Sequence, residues 1–393
     1  MNKKYIFIGL TVFLLAGCTQ GEIQSFTTAA LSKNPSAAFK TFARTKATSY
    51  VANPNKLKSD IQKLGNIDEI FKIFINNISK EWGEENVVVP KQKEYVKYIN
   101  NYKSRALIDF DKGIITIETL EDKNPKEKLK NAIVTTLLLP DDPRAVDLFG
   151  SSKVKLGATP YLLGEVKDEQ NKDIRYEWRA NRYAGILLRD KFQQKTIKSD
   201  GKSQKVSYVT IKMVKDHANV RVAKFKPYVQ KYAKKFNVSE NLIYAIIQTE
   251  SNFNQFAVSG IGAIGLMQIV PTSAGIDAYK HAKGKKITPS RNYLFNPSNN
   301  IELGSAYLQI LNENYLKEIN NPISREYCVI SAYNTGSGNV LKAFSSNRTT
   351  ARNLINQKNP SQIYQILRAK LPYAETRHYL YKVVNFKKQF INI

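Results

Sequence analysis

A single carboxylate, Glu250, follows a run of apolar residues that recur at helical spacing. These residues are Leu242, Ile243, Ile246 and Ile247, and the same stripe continues to Glu250. The spacing predicts that Glu250 lies on the buried face of the last turn of a helix. Burial and the negative end of the helix dipole both oppose ionisation, so the pKa of this carboxyl should be raised. An acid that stays protonated near neutral pH can donate a proton to a glycosidic oxygen.

The residues after Glu250 have the features of a ligand-binding turn. Three glycines favour a tight turn in which the backbone approaches a ligand closely. They are Gly260, Gly262 and Gly265. Ser259 and Gln268 are polar residues among apolar neighbours, which makes them candidates for hydrogen bonds to a sugar. Tyr333, in the turn that ends a later apolar stretch, is a candidate to place its hydroxyl beside the acid. Taken alone, Glu250 would be better explained by a side chain that turns to solvent where its helix ends.

Four sequence blocks together resemble the Slt-type lytic transglycosylases of glycoside hydrolase family 23. They are Glu-Ser-x-Phe through Gly-Leu-Met-Gln (250–268), Asn-Ile-Glu-Leu-Gly (300–304), Ala-Tyr-Asn with a following Gly (332–336) and Glu-Thr-Arg-His-Tyr (375–379). The blocks span most of residues 220–390 in the order that the family has. The resemblance implies a mainly α-helical, lysozyme-like catalytic domain that needs no cofactor.

The resemblance also implies roles for the residues at matching positions. Glu250 corresponds to the single catalytic acid/base. The residues that correspond to the substrate-binding groove are Ser259, Gln268, Tyr333, Asn334 and Glu375. Of these, Tyr333 is implied to lie nearest to the acid. One departure is Val270, where many relatives have Met, and this difference would alter the wall of a subsite but not the chemistry.

Most glycosidases use two carboxylates, but no second acid stands in a convincing local motif. The remaining acids are Asp277, Glu302, Glu318 and Glu375. The resemblance implies that the substrate's own 2-acetamido group replaces the second carboxylate. Glu250 would protonate the oxygen between N-acetylmuramic acid (MurNAc) and N-acetylglucosamine (GlcNAc), then accept the proton of the muramic 6-hydroxyl. The product would be a 1,6-anhydro-MurNAc end, formed without water.

The first eighteen residues predict export and lipid attachment. Two lysines precede an apolar run, Tyr5–Leu15, that is too short to span a bilayer comfortably. Leu-Ala-Gly before Cys18 resembles a bacterial lipoprotein box. The resemblance implies that residues 1–17 are a signal peptide and that Cys18 carries several acyl chains, which anchor stably. Thr19 takes the place of the Asp that favours inner-membrane retention, which indicates the outer membrane, with the protein facing the periplasm.

The chain of 393 residues is long enough for two domains. Residues 18–33 are polar and are interpreted as a tether from the lipidated cysteine. Residues 34–217 mix helix and strand patterns, and residues 218–393 are mainly helical. We therefore expect an α+β protein, with a mixed accessory domain at 34–217 and a lysozyme-like transglycosylase domain at 218–393.

Within the accessory domain, the pattern predicts a helix through 67–78, a second at 126–139 and a strand at 206–214. Two apolar runs, 105–110 and 114–117, predict a β-hairpin with Gly113 at its turn. Residues 198–203 are polar and are predicted to form a loop. Trp82 and Trp178 are interpreted as core residues rather than as platforms for sugar rings.

Composition narrows the possible partners. The net charge is +27, from 60 Lys and Arg against 33 Asp and Glu, and such a surface attracts polyanions. Because export is predicted, we expect no nucleic acid partner; the partners are peptidoglycan glycan strands and the outer membrane, with a monomer as the default state. Two cysteines exclude a disulfide framework, and Cys328 is expected to be buried. Three histidines without ligand spacing indicate no metal.

Two other interpretations stay open. A goose-type lysozyme-like hydrolase would share the fold and the acid but would admit water, so that its products would carry reducing ends. A non-catalytic peptidoglycan-binding lipoprotein would keep the fold without activity. Loss of Glu250 would be the simplest sign of a dead site, and Glu250 is present.

Overall fold

The computed structural model describes residues 67–141, 150–151, 154–156, 159–199, 201–259 and 262–391. The chain divides into a unit of Met1–Phe74 and a compact unit of Ile75–Ile393. The predicted signal peptide, Cys18 and the predicted tether lie outside the described residues. Of the helices in the described part of the chain, none combines the length and the apolar character that crossing a membrane requires.

Five antiparallel strands form one sheet in the order β1-β2-β3-β5-β4. Their bounds are β1 Glu94–Ile99, β2 Ser104–Asp109, β3 Ile114–Thr119, β4 Gln193–Ser199 and β5 Lys202–Lys212. The predicted hairpin is confirmed as β2 and β3, which pair Asp109 with Ile114. Gly113, in the turn between them, has a φ of 63°, which a residue without a Cβ adopts at little cost.

The loop predicted at residues 198–203 is wrong, because this segment belongs to a second hairpin. Lys198 and Ser199 end β4, Lys202 begins β5, and Gly201 lies between the strands with a φ of 80°. β4 is an edge strand whose side chains are mostly exposed on both faces. Its sequence therefore lacks the apolar alternation by which a half-buried strand is recognised. The same hairpin explains why β5 starts before the predicted Val206.

The described part of the sheet region also contains helices. They are α1 Ile67–Trp82, a 3₁₀ turn at Glu84–Asn86, α2 Pro125–Leu137 and α3 Glu177–Asp190. α2 packs on β2 and β3, α3 packs on α2, and the α2 residues Leu129 and Ile133 are wholly buried. Trp82 is buried, as predicted, and its indole N–H donates to the Tyr102 carbonyl at 2.7 Å. The prediction for Trp178 is wrong, because this side chain is 58% exposed.

The helical region begins at His217. Its helices are α4 His217–Phe236, α5 Glu240–Ser251, α6 Ala274–Lys283, α7 Arg291–Phe295, α8 Pro297–Ile310 (extended by a π turn at Leu311–Tyr315), α9 Pro322–Thr335, α10 Ser337–Lys342, α11 Arg348–Asn356, α12 Pro360–Lys370 and α13 Ala374–Gln389. α5 packs against α4 and α13. Its apolar stripe is buried, and so is Cys328 on α9, as predicted. The predicted α+β class is confirmed.

Candidate active site

Glu250 lies in the last turn of α5, one residue before the helix ends at Ser251. Ser239 occupies the N-cap position of this helix, although its hydroxyl makes no capping hydrogen bond. Glu250 retains only 8% of its accessible surface. It thus continues the buried stripe of the helix, in the position that the spacing predicts.

Burial dominates the chemistry of the Glu250 carboxyl. It raises the pKa of Glu250 from an ordinary value of 4.5 to about 8. The Tyr379 hydroxyl opposes this shift, and the negative charge of Glu375 adds to it. Among the described residues, Glu250 forms no ion pair with a Lys, Arg or His side chain. The carboxyl is therefore protonated at neutral pH, as a proton donor must be.

Two tyrosines surround this carboxyl. Burial raises the pKa of both Tyr333 and Tyr379, and the nearby Glu250 raises each of them further. Both hydroxyls therefore keep their protons and can act only as neutral hydrogen-bonding groups. Tyr333 was predicted from the sequence, whereas Tyr379, which ends the block at 375–379, was missed. The available signal is that Tyr379 stands four residues after Glu375 on one helix, which places both on one face.

Tyr333 connects two elements of the site. Its hydroxyl donates to the Met267 carbonyl at 2.8 Å, and its ring packs against Tyr307 with 5.7 Å between centroids. Asn334, the next residue, accepts a 2.6 Å hydrogen bond from the Thr376 hydroxyl at the start of α13. Glu375 beside it is exposed. The structure thus brings Tyr333, Asn334 and Glu375 to the side of the helical region where Glu250 lies.

The loop between α5 and α6 holds the other two predicted residues. Ser259 accepts a 3.0 Å hydrogen bond from the Ala263 amide, and Gln268 donates to the carbonyls of Ala257 and Gly265 at 3.2 and 2.9 Å. Both side chains thus close the loop on itself. The buried Oε1 of Gln268 has no hydrogen-bond partner within the described residues, so an acceptor is available there.

The same loop is fastened to α5 and to α8. The Ser251 hydroxyl donates to the Leu266 carbonyl at 2.8 Å, directly beside the acid. On α8, the buried Asn300 accepts from the Met267 amide and donates to the Ile264 carbonyl, both at 2.8 Å. Gly304 allows α8 to approach so closely that an added Cβ would lie 2.9 Å from the Met267 Cβ. These contacts fix the position of the Met267 carbonyl, which accepts the hydrogen bond from the Tyr333 hydroxyl.

Acids elsewhere in the helical region are arranged differently. Glu302 on α8 is buried and forms ion pairs with Lys235 and Lys283, each at 2.7 Å. Burial raises the pKa of Glu302, but the two lysines outweigh that effect, so its pKa lies below the ordinary value. Glu302 therefore braces α4 and α6 against α8 as a fixed anion. The described residues contain no group of three or more His, Cys, Asp or Glu side chains that could hold a metal ion.

Comparison with known families places both regions. The transglycosylase SLT domain matches residues 227–356, which contain Glu250 and Tyr333. The N-terminal domain of membrane-bound lytic murein transglycosylase C matches residues 50–224. The helical region is thus of the SLT transglycosylase class, as the sequence blocks predicted.

Similar whole proteins carry the same description. The membrane-bound lytic murein transglycosylase C of Serratia proteamaculans is 46% identical over 319 residues, which are 81% of this chain and 87% of the relative. That of Klebsiella pneumoniae is 43% identical over 332 residues, or 84% and 91% of the two chains. The chain therefore belongs to the membrane-bound lytic murein transglycosylase C family, and it is an enzyme of the lytic transglycosylase class.

Two solved structures align with a smaller part of the chain. An inactive mutant of the lytic transglycosylase Slt from Pseudomonas aeruginosa is 27% identical, covers 41% of this chain and 23% of its own, and gives a TM-score of 0.32. The 70 kDa soluble lytic transglycosylase of Escherichia coli is 24% identical with the same coverage and the same TM-score.

Proposed function

We propose that this enzyme cleaves the β-1,4 bond between MurNAc and GlcNAc in peptidoglycan without water and leaves 1,6-anhydro-MurNAc ends. The observation that carries the proposal is the state of Glu250, a carboxyl that is almost fully buried, has no cationic partner among the described residues and has a pKa of about 8. Such a group can give up its proton and take one back near neutral pH. One acid can therefore serve both halves of the reaction.

In the first half, protonated Glu250 donates to the bridging oxygen, and the bond between that oxygen and the muramic C1 breaks. The proton leaves with the GlcNAc hydroxyl, and positive charge develops at C1. The 2-acetamido oxygen of the same muramic residue attacks C1 and holds this charge in a ring. This assistance from the substrate takes the place of the second carboxylate that most glycosidases supply.

In the second half, Glu250 is a carboxylate in an almost fully buried position. It accepts the proton of the muramic 6-hydroxyl while that oxygen forms a bond to C1 and displaces the acetamido oxygen. The product is the 1,6-anhydro ring, and Glu250 is protonated again. General acid/base assistance of this kind contributes roughly 10²–10⁴-fold to a rate.

The neighbouring residues are proposed to orient the sugar and the acid. Tyr379 lies against the Glu250 carboxyl, and the hydrogen bond of Tyr333 to the Met267 carbonyl sets the position of the loop. The free Oε1 of Gln268 is an acceptor for a sugar hydroxyl or amide. Ser259, Asn334 and Glu375 are proposed to complete the substrate-binding groove, and the exposure of Glu375 supports a contact with the substrate.

A hydrolase of the goose-type lysozyme kind is the competing function, and the position of Glu375 is the observation that favours it. This second carboxylate is close enough to raise the pKa of Glu250, and an exposed acid could activate a water molecule. The products of the two reactions differ by one molecule of water. Mass spectrometry of the fragments released from purified sacculi therefore separates them.

The experiment compares wild type with Glu250→Gln and Glu375→Gln on the same sacculi. We expect anhydro ends from the wild type, no release above background from Glu250→Gln with an unchanged circular dichroism spectrum, and anhydro ends at a lower rate from Glu375→Gln. Reducing ends from the wild type would identify a hydrolase. If Glu250→Gln releases fragments as fast as wild type does, Glu250 is not the catalytic acid. If wild type itself releases no fragments, a non-catalytic binding protein is favoured.

We also propose the cellular placement and the division of the chain. Cys18 is proposed to carry the acyl chains that anchor a monomer to the outer membrane, with residues 18–33 as tether, 34–217 as accessory domain and 218–393 as transglycosylase domain. The change from sheet to helices at His217 supports the division. Labelled palmitate that enters wild type but not Cys18→Ala, with membrane fractionation, tests the anchor. Analytical ultracentrifugation tests the monomer.

A further inference from the structure

The chain turns sharply and at some conformational cost directly after the proposed acid. Asn252 ends α5 with a φ of 49°, and Phe253 follows with a φ of 62°. Asn tolerates this left-handed region, but an aromatic residue in it is unusual and unfavourable. A strained backbone persists only where the surrounding structure holds it. The position of the last turn of α5, and of Glu250 on it, therefore depends on whatever holds these two residues.

The tip of the β2–β3 hairpin holds Asn252. The Asn252 amide nitrogen donates to the Phe110 carbonyl at 3.1 Å and to Asp111 Oδ1 at 2.8 Å. Both acceptors belong to the sheet region, about 140 residues earlier in the chain. Asn252 is 8% exposed and its bond to the Phe110 carbonyl is buried, whereas Asp111 is exposed. A buried donor left unsatisfied at Asn252 would be costly.

The next residues are fastened to the same region. The Asn254 side chain donates to the Gln92 carbonyl at 3.2 Å, and the Gln255 side chain donates to the Asp141 carbonyl at 2.5 Å. Phe256 packs against Tyr95 and Tyr161, with ring centroids 5.2 and 5.0 Å apart. The segment that leaves the proposed acid is thus bound to the sheet region at nearly every residue.

We propose that Asn252 and the hairpin tip, through the Phe110 carbonyl and Asp111, are positioning elements of the active site that hold the Glu250 carboxyl in its buried place. The inference rests on the proposed function of Glu250. The sheet region would thus contribute to catalysis, besides any role in attachment. It would hold in place the turn that follows Glu250.

The test separates the side-chain bonds of Asn252 from its backbone angle. Asn252→Gly keeps a residue that accepts positive φ at no steric cost but removes both hydrogen bonds. Asn252→Ala removes the bonds and also strains the backbone. The matched control is Asn237→Gly, because Asn237 ends α4 with a φ of 50° and is exposed. All variants are studied as full-length protein, at a temperature well below the lowest unfolding midpoint.

We expect Asn252→Gly to lower kcat by roughly 10- to 100-fold, as small misplacements of a catalytic group do, with KM nearly unchanged. We also expect the high-pH limb of its activity to move to lower pH, because water reaches the Glu250 carboxyl and lowers its pKa. Asn237→Gly should match wild type in both respects. The proposal is overturned if Asn252→Gly matches Asn237→Gly, or if only Asn252→Ala is impaired, since the backbone angle alone would then matter.

A second pair of variants decides the matter if the Asn252 variants do not fold. Asp111→Asn keeps an oxygen acceptor for Asn252, whereas Asp111→Ala removes it. We expect a lower kcat and the same pH shift for Asp111→Ala, and near wild-type values for Asp111→Asn. Asp111 also lies 3.4 Å from the Lys93 ammonium, and Lys93→Met controls for the loss of that pair. Equal activity of Asp111→Ala and Asp111→Asn would contradict the proposal.

Glu250→Gln, assayed in parallel, keeps the two proposals apart. If Glu250→Gln is active, the proposed function fails, whatever the hairpin variants do. If Glu250→Gln is inactive while the Asn252 and Asp111 variants behave like their controls, only the positioning role fails.

Discussion

The buried carboxylates of the sheet region differ from Glu250 of the helical region in the partners that surround them. Glu118, on β3, is 1% exposed and lies 2.7 Å from Arg105 and 2.5 Å from Lys195. Glu165, before α3, is fully buried between Arg221 and Lys224. Glu250, in the helical region, is buried almost as deeply, but no cation of the described residues pairs with it. At Glu118 and Glu165 the burial is compensated by cations, whereas at Glu250 it raises the pKa of the carboxyl.

This difference separates acids with a structural role from the proposed catalytic acid. A buried carboxylate between cations keeps its charge and ties elements together, as Glu302 also does within the helical region. A buried carboxyl without a cation keeps its proton instead, and its pKa moves into the range where proton transfer is useful. Burial alone does not identify the chemical group; burial together with the missing partner does.

The largest expected effect is the loss of a structural acid. Glu118→Ala would leave Arg105, which is 5% exposed, without its anion. Removal of one partner from a buried pair costs about 3–5 kcal/mol of unfolding free energy. Urea unfolding should show this loss, while kcat of the folded protein below the transition stays at the wild-type value. A fall in kcat without a fall in stability would abolish the distinction between the two kinds of acid.

Replacement of Glu250, the proposed catalytic acid, should have the opposite effect on stability. Because its folded pKa of about 8 lies above the ordinary 4.5, wild type binds this proton more tightly when folded and loses stability as pH rises between these values. Glu250→Gln cannot titrate. It should therefore match wild type near pH 4 and become more stable than wild type towards pH 8, by an amount on the order of a few kcal/mol. Unfolding curves at several pH values measure this, and a constant difference would contradict the raised pKa.

A smaller effect is expected at the neutral hydroxyl beside the acid. Tyr333→Phe removes one hydrogen bond, to the Met267 carbonyl, and a bond of this kind is worth about 0.5–1.5 kcal/mol. We expect kcat to fall by roughly threefold to tenfold, far less than for Glu250→Gln, because no proton donor is lost. Steady-state kinetics on soluble glycan strands checks the order of the two variants.

The smallest effects should be two opposite shifts of one pH limb. Tyr379 lowers the pKa of Glu250, and Glu375 raises it. Tyr379→Phe should therefore move the high-pH limb of activity upward, and Glu375→Gln should move it slightly downward. The two variants control for each other, because a general loss of structure would move the high-pH limb in the same direction in both.

The sequence predicts those features that depend on nearby residues. The stripe from Leu242 to Ile247 is local, so the helix and the buried position of Glu250 could be predicted, and Gly113 marked its hairpin. β4 was missed because an exposed edge strand carries no apolar pattern. Trp178 was misassigned because composition does not tell an exposed ring from a buried one.

The contacts that complete the site join residues distant in the sequence, and the local spacing of residues does not predict them. Tyr379 meets Glu250 because α13 packs on α5, and the sequence contains no sign of which helices pack together. The bond from Asn252 to Asp111 joins two regions that the sequence presents as separate domains. The motif thus predicts the acid, whereas the fold shows which residues surround it.

Gly304 is a position at which a substitution could move the loop that packs on α8. Because α8 presents no side chain there, Met267 packs directly against the helix at Gly304. Alanine there would place a methyl group against Met267 and would push outward the Met267 carbonyl, which accepts the hydrogen bond from Tyr333. The proposed substrate groove could thus be adjusted from behind, without altering any of the residues proposed to bind the sugar.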